Sequence, residues 1–281
     1  MSQQKVAVVT DSTANFPEGM AEKLNIRIVP LTVRFGGDEY IDNVTLTSDE
    51  FYSKLKTSPV FPITSQPSPE TFLKVFKEIG GDFNEVISIH ISSALSGTIN
   101  SVQRPQEQLP TYKIKVVDSL SLSFGLGWLA IRAAEMAEAG ASLDAIAAEM
   151  ETLKPKLRIC AAFDTLKYLE KGGRIGKVQC WVGSLLQTKP IIKIDGEGKV
   201  APVSRPRTKK NAIAEMFDNF FNEGEMARVA VIHTAALDEA VDVAKRLKGN
   251  YPNLEIPIGQ LCPTLGTHSG PGLVGICGLL K

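Results

Sequence analysis

Along the first half of the chain, short apolar runs alternate with segments of helical period, the rhythm of strands that cross to helices and back. Lys5-Val6-Ala7-Val8-Val9-Thr10 has the unbroken apolar centre of a strand buried on both faces of a parallel sheet. Asp11-Ser12-Thr13 ends it, and Pro17 is placed to open a helix of about two turns ending near Asn25. Ile26 to Phe35, the Gly36-Gly37 turn and Asp38 to Asn43 read as a second strand folding into a hairpin. Thr47-Ser48-Asp49-Glu50 has capping-box spacing and starts a helix carrying Phe51, Tyr52 and Leu55. Pro62 to Pro69 reads as a rigid polar loop, because proline fixes its own φ and biases its predecessor toward extended backbone. Ser68 then caps a helix with Pro69 at its first position, running to Ile79.

A strand from Glu85 to Ile91, a serine-rich loop, a helix from Ser96 and a strand from Lys113 to Asp118 continue the rhythm. Two helices follow, from Gly125 to Ala139 and from Ser142 to Leu153, and Lys154-Pro155-Lys156 marks a boundary. Beyond it the pattern predicts a strand from Leu157 to Phe163, a helix from Thr165 to Lys171 and another from Lys177 to Gln187. Pro190 to Asp195 and Lys199 to Ser204 flank Gly196-Glu197-Gly198, a hairpin signal that makes the second sheet mixed. A Phe-rich helix from Thr208 to Glu223, a strand from Arg228 to His233, a helix from Leu237 to Leu247 and apolar strands from Leu254 to Leu261 and Leu273 to Leu280 complete the chain. The expected fold class is α/β in two domains: residues 1–154 as an N-terminal doubly wound, mostly parallel sheet, and 155–281 as a C-terminal mixed-sheet α/β domain.

Composition narrows the function. The 31 basic and 31 acidic side chains cancel, so no electrostatic footprint for nucleic acid is present. Cys160, Cys180, Cys262 and Cys277 lie far apart among apolar residues and read as buried free thiols of a reducing compartment. With no signal-type N-terminus and no apolar run of membrane-spanning length, a cytoplasmic location is expected.

The richest candidate chemistry is Ile91-Ser92-Ser93-Ala94-Leu95-Ser96-Gly97-Thr98, hydroxyls packed into a strand-to-helix turn where open α/β sheets bind ligands. Gly125-Leu126-Gly127-Trp128-Leu129-Ala130 matches a dinucleotide fingerprint in letters only, since six residues separate it from the preceding strand. Small residues that let a buried helix approach its sheet explain it better. Alternation points His90 away from the serine loop, toward the core, and His233 ends a strand either as a satisfied histidine or as a ligand contact. His268 sits in Gly266-Thr267-His268-Ser269-Gly270-Pro271-Gly272, read as a glycine-rich loop with a functional histidine. Metal-ligand spacing around the histidines is absent, so no metal and no cofactor are expected. Ser96 or Ser93 with His268 and a carboxylate such as Asp118 allows a hydrolytic triad acting on acyl esters or thioesters. The surplus of hydroxyls suits an anion already formed: Thr64, Ser65, Ser93, Ser96, Thr98 and an imidazolium at His268 are natural carboxylate donors, with Ser269 beside them and Arg174 adding positive charge.

These segments also resemble a known family, DegV. The resemblance lies in Val8-Val9-Thr10-Asp11-Ser12-Thr13, Thr64-Ser65-Gln66-Pro67-Ser68, Ile91-Ser92-Ser93 with Leu95-Ser96-Gly97-Thr98, and Val116-Val117-Asp118-Ser119. It continues through Leu166-Lys167-Tyr168-Leu169, Gly172-Gly173-Arg174-Ile175, Arg207-Thr208-Lys209-Lys210 and His268-Ser269-Gly270-Pro271-Gly272, in order across the chain. Ile99 stands where the family often has an aromatic residue, and Ser269 where threonine is common. The resemblance implies a long-chain fatty acid as ligand, its carboxylate between the domains and its tail in an apolar tunnel of the C-terminal domain. It implies a non-catalytic carrier whose partner is a fatty-acid kinase subunit, with room for transient membrane contact. By the same likeness the carboxylate falls on Thr64, on Ser96 ahead of Ser93, and on His268, while Arg174, Arg205 and Arg207 lie near the head-group mouth and the partner.

Overall fold

The computed structural model describes residues 6–79, 83, 85–109, 111–181 and 188–281. The first half comprises β1 (Val6–Asp11), α1 (Met20–Lys23), β2 (Arg27–Val29), β3 (Thr32–Phe35), β4 (Asp38–Ile41), α2 (Ser48–Thr57) and β5 (Ile63–Ser65). It continues with α3 (Pro69–Ile79), β6 (Glu85–His90), α4 (Thr98–Gln103), β7 (Lys113–Asp118), α5 (Ser123–Glu138) and α6 (Leu143–Leu153). After a 3₁₀ turn at Lys154–Lys156 come β8 (Leu157–Ala162), α7 (Lys167–Lys171), β9 (Ile191–Ile194), β10 (Val200–Ser204) and α8 (Lys209–Phe221). The chain ends with β11 (Met226–His233), α9 (Leu237–Asn250), β12 (Ile258–Gln260), α10 (Pro263–Ser269) and β13 (Val274–Leu280).

All six residues of β1 are buried because it lies inside a parallel sheet of order β2-β1-β6-β7. Its two faces feed separate clusters. Val6 and Val8 face α5, whereas Ala7 and Val9 pack with Phe72 and Phe76 of α3, so helices cover both faces and the sheet is doubly wound. The second sheet, β10-β9-β8-β13-β11-β12, is mixed: only β11 and β12 run parallel. Helix α5 lies between the sheets, twelve of its sixteen residues buried, and shares one core with Ile87 and Ile89 of the first sheet and Ile159, Ala161 and Ile232 of the second. A helix apolar on every side belongs in such a place. Its Gly-x-Gly is a packing device: a Cβ on Gly127 would lie 2.0 Å from the Asn15 carbonyl oxygen.

Several expectations need correction. Residues 26–43 do not form one strand and a hairpin, because Pro30 breaks the run. β2 joins the parallel sheet, and β3 pairs with β4 across the glycine turn in a separate sheet of order β4-β3-β5. The Pro62 to Pro69 segment is not only loop: Ile63–Ser65 pairs with β3, Thr64 opposite Val33, and the prolines stand outside the paired residues, where their missing N–H groups cost nothing. Helix α1 is a single turn. Residues 176–181 form a 3₁₀ turn instead of the start of an α-helix, and the rest of the helix expected to Gln187 lies outside the described residues. Cys180 is exposed, while the other three thiols are buried. Finally, His268 rides on a helix, α10, with Pro263 in its first turn, and Gly270 at φ 69° ends it. Gly266 is helical, placed there because a Cβ would meet Phe51 and Tyr52 at 2.6 Å.

Candidate functional site

Alternate residues of one strand face the same side. Ile159, Ala161 and Phe163 in and just past β8, Ile192 and Ile194 of β9, and Ile232 of β11 therefore form one apolar wall of a cavity of about 380 Å³. Ile91, Leu95 and Leu122 from the loops of the parallel sheet, with Leu31 and Leu265, form the facing wall. The size falls within the range of roughly 300–1,000 Å³ usual for small-molecule sites.

One end is polar. β5 delivers Thr64, Ser65 and Gln66, the loop before α4 delivers Ser96, and α10 delivers His268 and Ser269. Thr64 Oγ1 lies 2.9 Å from His268 Nε2, joining residues 204 positions apart. Ser96 Oγ lies 2.9 Å from Thr98 Oγ1. Arg174 donates from Nε to the Leu95 carbonyl at 3.1 Å and from a terminal nitrogen to the Gly172 carbonyl at 2.7 Å, which fixes its fork at the rim. Among the described residues lining this cavity no Asp or Glu occurs, and Arg174 and Lys193 supply positive charge.

His268 differs from expectation. Burial, and secondarily the Arg174 charge, push its pKa down to about 4, which favours a neutral imidazole over the expected imidazolium. Its Nδ1 is buried with no hydrogen-bond partner among the described residues. That nitrogen faces Gly172, whose φ of −79° any residue adopts. Glycine is needed there for space, since a Cβ would lie 2.1 Å from Nδ1. Gly172→Ala should therefore tilt the imidazole away from Thr64, with little change in melting temperature, and weaken by about tenfold the affinity for any ligand that His268 holds. Unchanged affinity by titration calorimetry would separate His268 from ligand binding.

The remaining expected donors are placed unequally. Ser93 is exposed and outside the cavity lining, its backbone N–H donating to Asp118 at 3.2 Å. Thr98 is buried behind Ser96 and does not line the cavity. Ser269 lines it, but its hydroxyl donates to the Leu265 carbonyl at 2.9 Å. Arg205 and Arg207 are exposed and outside the lining, and the Arg205 guanidinium stands 5.0 Å from the Trp181 ring centre.

Gln66 was not singled out as a donor from sequence, yet it lines the polar end and donates to Ser101 Oγ at 2.9 Å. No local signal marked it, since its place beside Gly97, where a Cβ would lie 2.1 Å from Gln66 Oε1, is set by the tertiary structure.

His90 is a core residue. Its Nδ1 lies 2.9 Å from the Asp11 carboxylate and its Nε2 2.7 Å from Ser88 Oγ. Asp11 also accepts the Ile91 N–H at 3.0 Å, so this buried chain anchors the start of the serine loop. All three side chains are 0 % exposed, which shuts out substrate from a Ser–His–Asp arrangement that otherwise has triad connectivity. His233 is a satisfied strand-end residue: burial lowers its pKa and Nδ1 accepts from the Ala236 N–H at 3.4 Å. Asp42, which burial pushes up, accepts from Ser12 Oγ at 2.7 Å and from the Thr264 N–H at 3.3 Å, tying α10 to the first half. No cluster of three potential metal ligands occurs among the described residues, nor any helix long and apolar enough to cross a membrane.

Two sheets that share a core helix and border an apolar cavity with donors in its lining define a mixed α/β protein with a cavity of small-molecule size. The chain belongs to the DegV family: the family model described as an uncharacterised protein of that family matches residues 5–281. Protein DegV of Bacillus subtilis strain 168 is 35% identical over 280 residues, covering 98% of this chain and 99% of the relative. The fold is similar to a fatty-acid-binding DegV family protein from Thermus thermophilus, with a TM-score of 0.91, 33% identity and coverage of 99% and 100% of the two chains. It is equally similar to DegV, a fatty acid binding protein from Bacillus subtilis, with a TM-score of 0.91, 34% identity and the same coverage.

Proposed function

We propose that this protein binds a long-chain fatty acid, its carboxylate at Thr64, Ser96 and His268 and its acyl chain along the isoleucines of β8 and β9, and that it presents the carboxylate to a separate kinase subunit for acyl phosphate formation. The observation that carries the reading is a cavity, apolar along most of its walls, whose lining includes hydroxyls, an imidazole and Arg174 and, among the described residues, no acidic side chain. A free carboxylate satisfies those donors and the wall rewards a hydrocarbon tail. Ser65 and Gln66 are accessory donors at the same end, and the fatty-acid-binding relatives add support. On this reading the exposed Arg174, Arg205 and Arg207 form the face offered to the partner, residues 1–154 and 155–281 act as two domains with the carboxylate between them, and the site of action is the cytoplasm, where ATP is at hand. The hydrolase alternative gains no support from His268: its Nε2 meets Thr64, its Nδ1 meets no carboxylate, and Asp118 is engaged with the Ser93 and Leu120 N–H groups.

Protein purified from a bacterial host should release a stoichiometric acyl chain on organic extraction, read by mass spectrometry. No lipid, together with no uptake of added fatty acid, would sink the proposal. Ser96→Ala should cost about 1.5 kcal/mol of affinity, roughly tenfold, as expected for a hydrogen bond to a charged group, while Ser93→Ala should bind as the parent does. A kinase subunit that phosphorylated free fatty acid equally well without this protein would remove the presentation step.

A further inference from the structure

A second cavity of about 520 Å³ shares Ile159, Lys193 and Ile194 with the first. The strand pairing ends beside these shared residues. The β8–β9 ladder covers three pairs and stops at Cys160 opposite Lys193, whereas β8 begins at Leu157, so its first residues pair with β13 alone. β9 leaves this edge for a turn in which the Asp195 carbonyl accepts the Gly198 N–H at 2.9 Å.

The facing loop is shaped for the same junction. Leu120 and Ser123 have φ of 51° and 54°, a region that side-chain-bearing residues rarely adopt. The loop is held there by the Leu120 N–H on Asp118 at 3.0 Å, the Ser121 N–H on Ser119 Oγ at 3.1 Å and the Ser92 N–H on the Ser121 carbonyl at 2.9 Å. The outcome is one leucine for each space: Leu122 lines the first cavity and Leu120 the second.

The second cavity has apolar surface from Leu120, Leu157, Val203 and Phe220 and no free charge to offer. Of its charged side chains, Glu151 pairs with Lys154, Asp195 with Lys177, and Glu223 with both Arg158 and Lys193. A second head group would find every cation taken, whereas a methyl end needs none. Position agrees. His268 packs against Gly172, at the end of the helix that follows β8, and the junction lies at the opposite end of that strand.

We infer that the second cavity receives the methyl end of acyl chains too long for the first, with Ile159 and Ile194 as the constriction between them. This rests on the fatty-acid reading above. The test is calorimetry on delipidated full-length protein with myristic, stearic, arachidic and behenic acids supplied on cyclodextrin. The variants are Val203→Trp and Asn219→Trp, at positions that line the second cavity alone. Asn219 lies on the exposed face of α8, so its variant keeps the test open should Val203→Trp not fold. The parent should bind arachidic and behenic acids within about tenfold of stearic acid, and both variants should lose at least about tenfold for the two long acids while holding myristic acid within about twofold. Long-chain affinity unchanged in a folded variant, or a parent that already rejects the long acids, overturns the inference and leaves the fatty-acid reading standing. A parent that binds none of the four acids overturns both.

Discussion

Ala161→Trp should abolish fatty-acid binding and leave a folded protein. Ala161 stands next to the last residue of β8, buried, with its side chain on the cavity wall. Burying a hydrocarbon tail contributes about 0.8 kcal/mol per methylene, so roughly fourteen of them supply about 11 kcal/mol before the costs of association. An indole in the same space removes much of that gain, and the expected loss is at least a thousandfold, about 4 kcal/mol. Filling an apolar void also removes part of what an unfilled cavity costs, so the melting temperature should hold or rise. Displacement of a fluorescent fatty acid and a thermal melt read the two effects. Undiminished binding in a folded variant would place the ligand elsewhere.

The second large effect is on protons. In the empty site His268 titrates near 4, below its ordinary 6.5, because burial and Arg174 disfavour the imidazolium. An arriving carboxylate supplies the opposite charge and lifts that pKa. Between about pH 4 and the value reached in the complex, the bound state therefore holds a proton that the free state lacks. Calorimetry near pH 6.5, where the fatty acid is already largely ionised, in buffers of different ionisation heat should show net proton uptake that His268→Gln lacks.

The same group sets a stability slope in the empty protein. A histidine depressed on folding contributes stability that is complete above its unfolded pKa of 6.5 and is lost as pH falls toward 4. The span corresponds to about 3 kcal/mol at most, at about 1.4 kcal/mol per unit. Denaturant melts of the parent should weaken across that window, and those of His268→Gln should be flatter by that amount. Equal slopes would assign the acid sensitivity to other groups.

Much of this architecture was legible because it is local. The apolar run at Val6 to Val9 needs two covered faces wherever it sits, and the structure supplies them. Thr47 and Glu50 close the capping box their spacing announces, and Gly196 to Gly198 turn the chain between β9 and β10. The Gly-x-Gly of α5 could be denied a nucleotide because no strand end precedes it. The helical setting of His268 was not legible, since glycine at 266 and 270 reads as loop until Phe51 and Tyr52 are known to press on the first. Nor was the strand at Ile63–Ser65, which exists because β3 offers it an edge.

The serine-rich stretch divides along the same line. Sequence alone determined the supply: hydroxyls in a strand-to-helix turn and apolar strands to wall a cavity. Tertiary structure decided the allocation. Ser92 is spent on the Gly198 carbonyl, Ser93 faces outward, Thr98 backs Ser96, and Ser96 alone of the four lines the cavity. It also decided that burial disfavours the imidazolium at His268 and that the β8–β9 pairing stops short of Ile159. Periodicity and capping act over a few residues and are written in neighbouring letters, whereas burial, charge and the end of a ladder depend on residues brought together from distant parts of the chain.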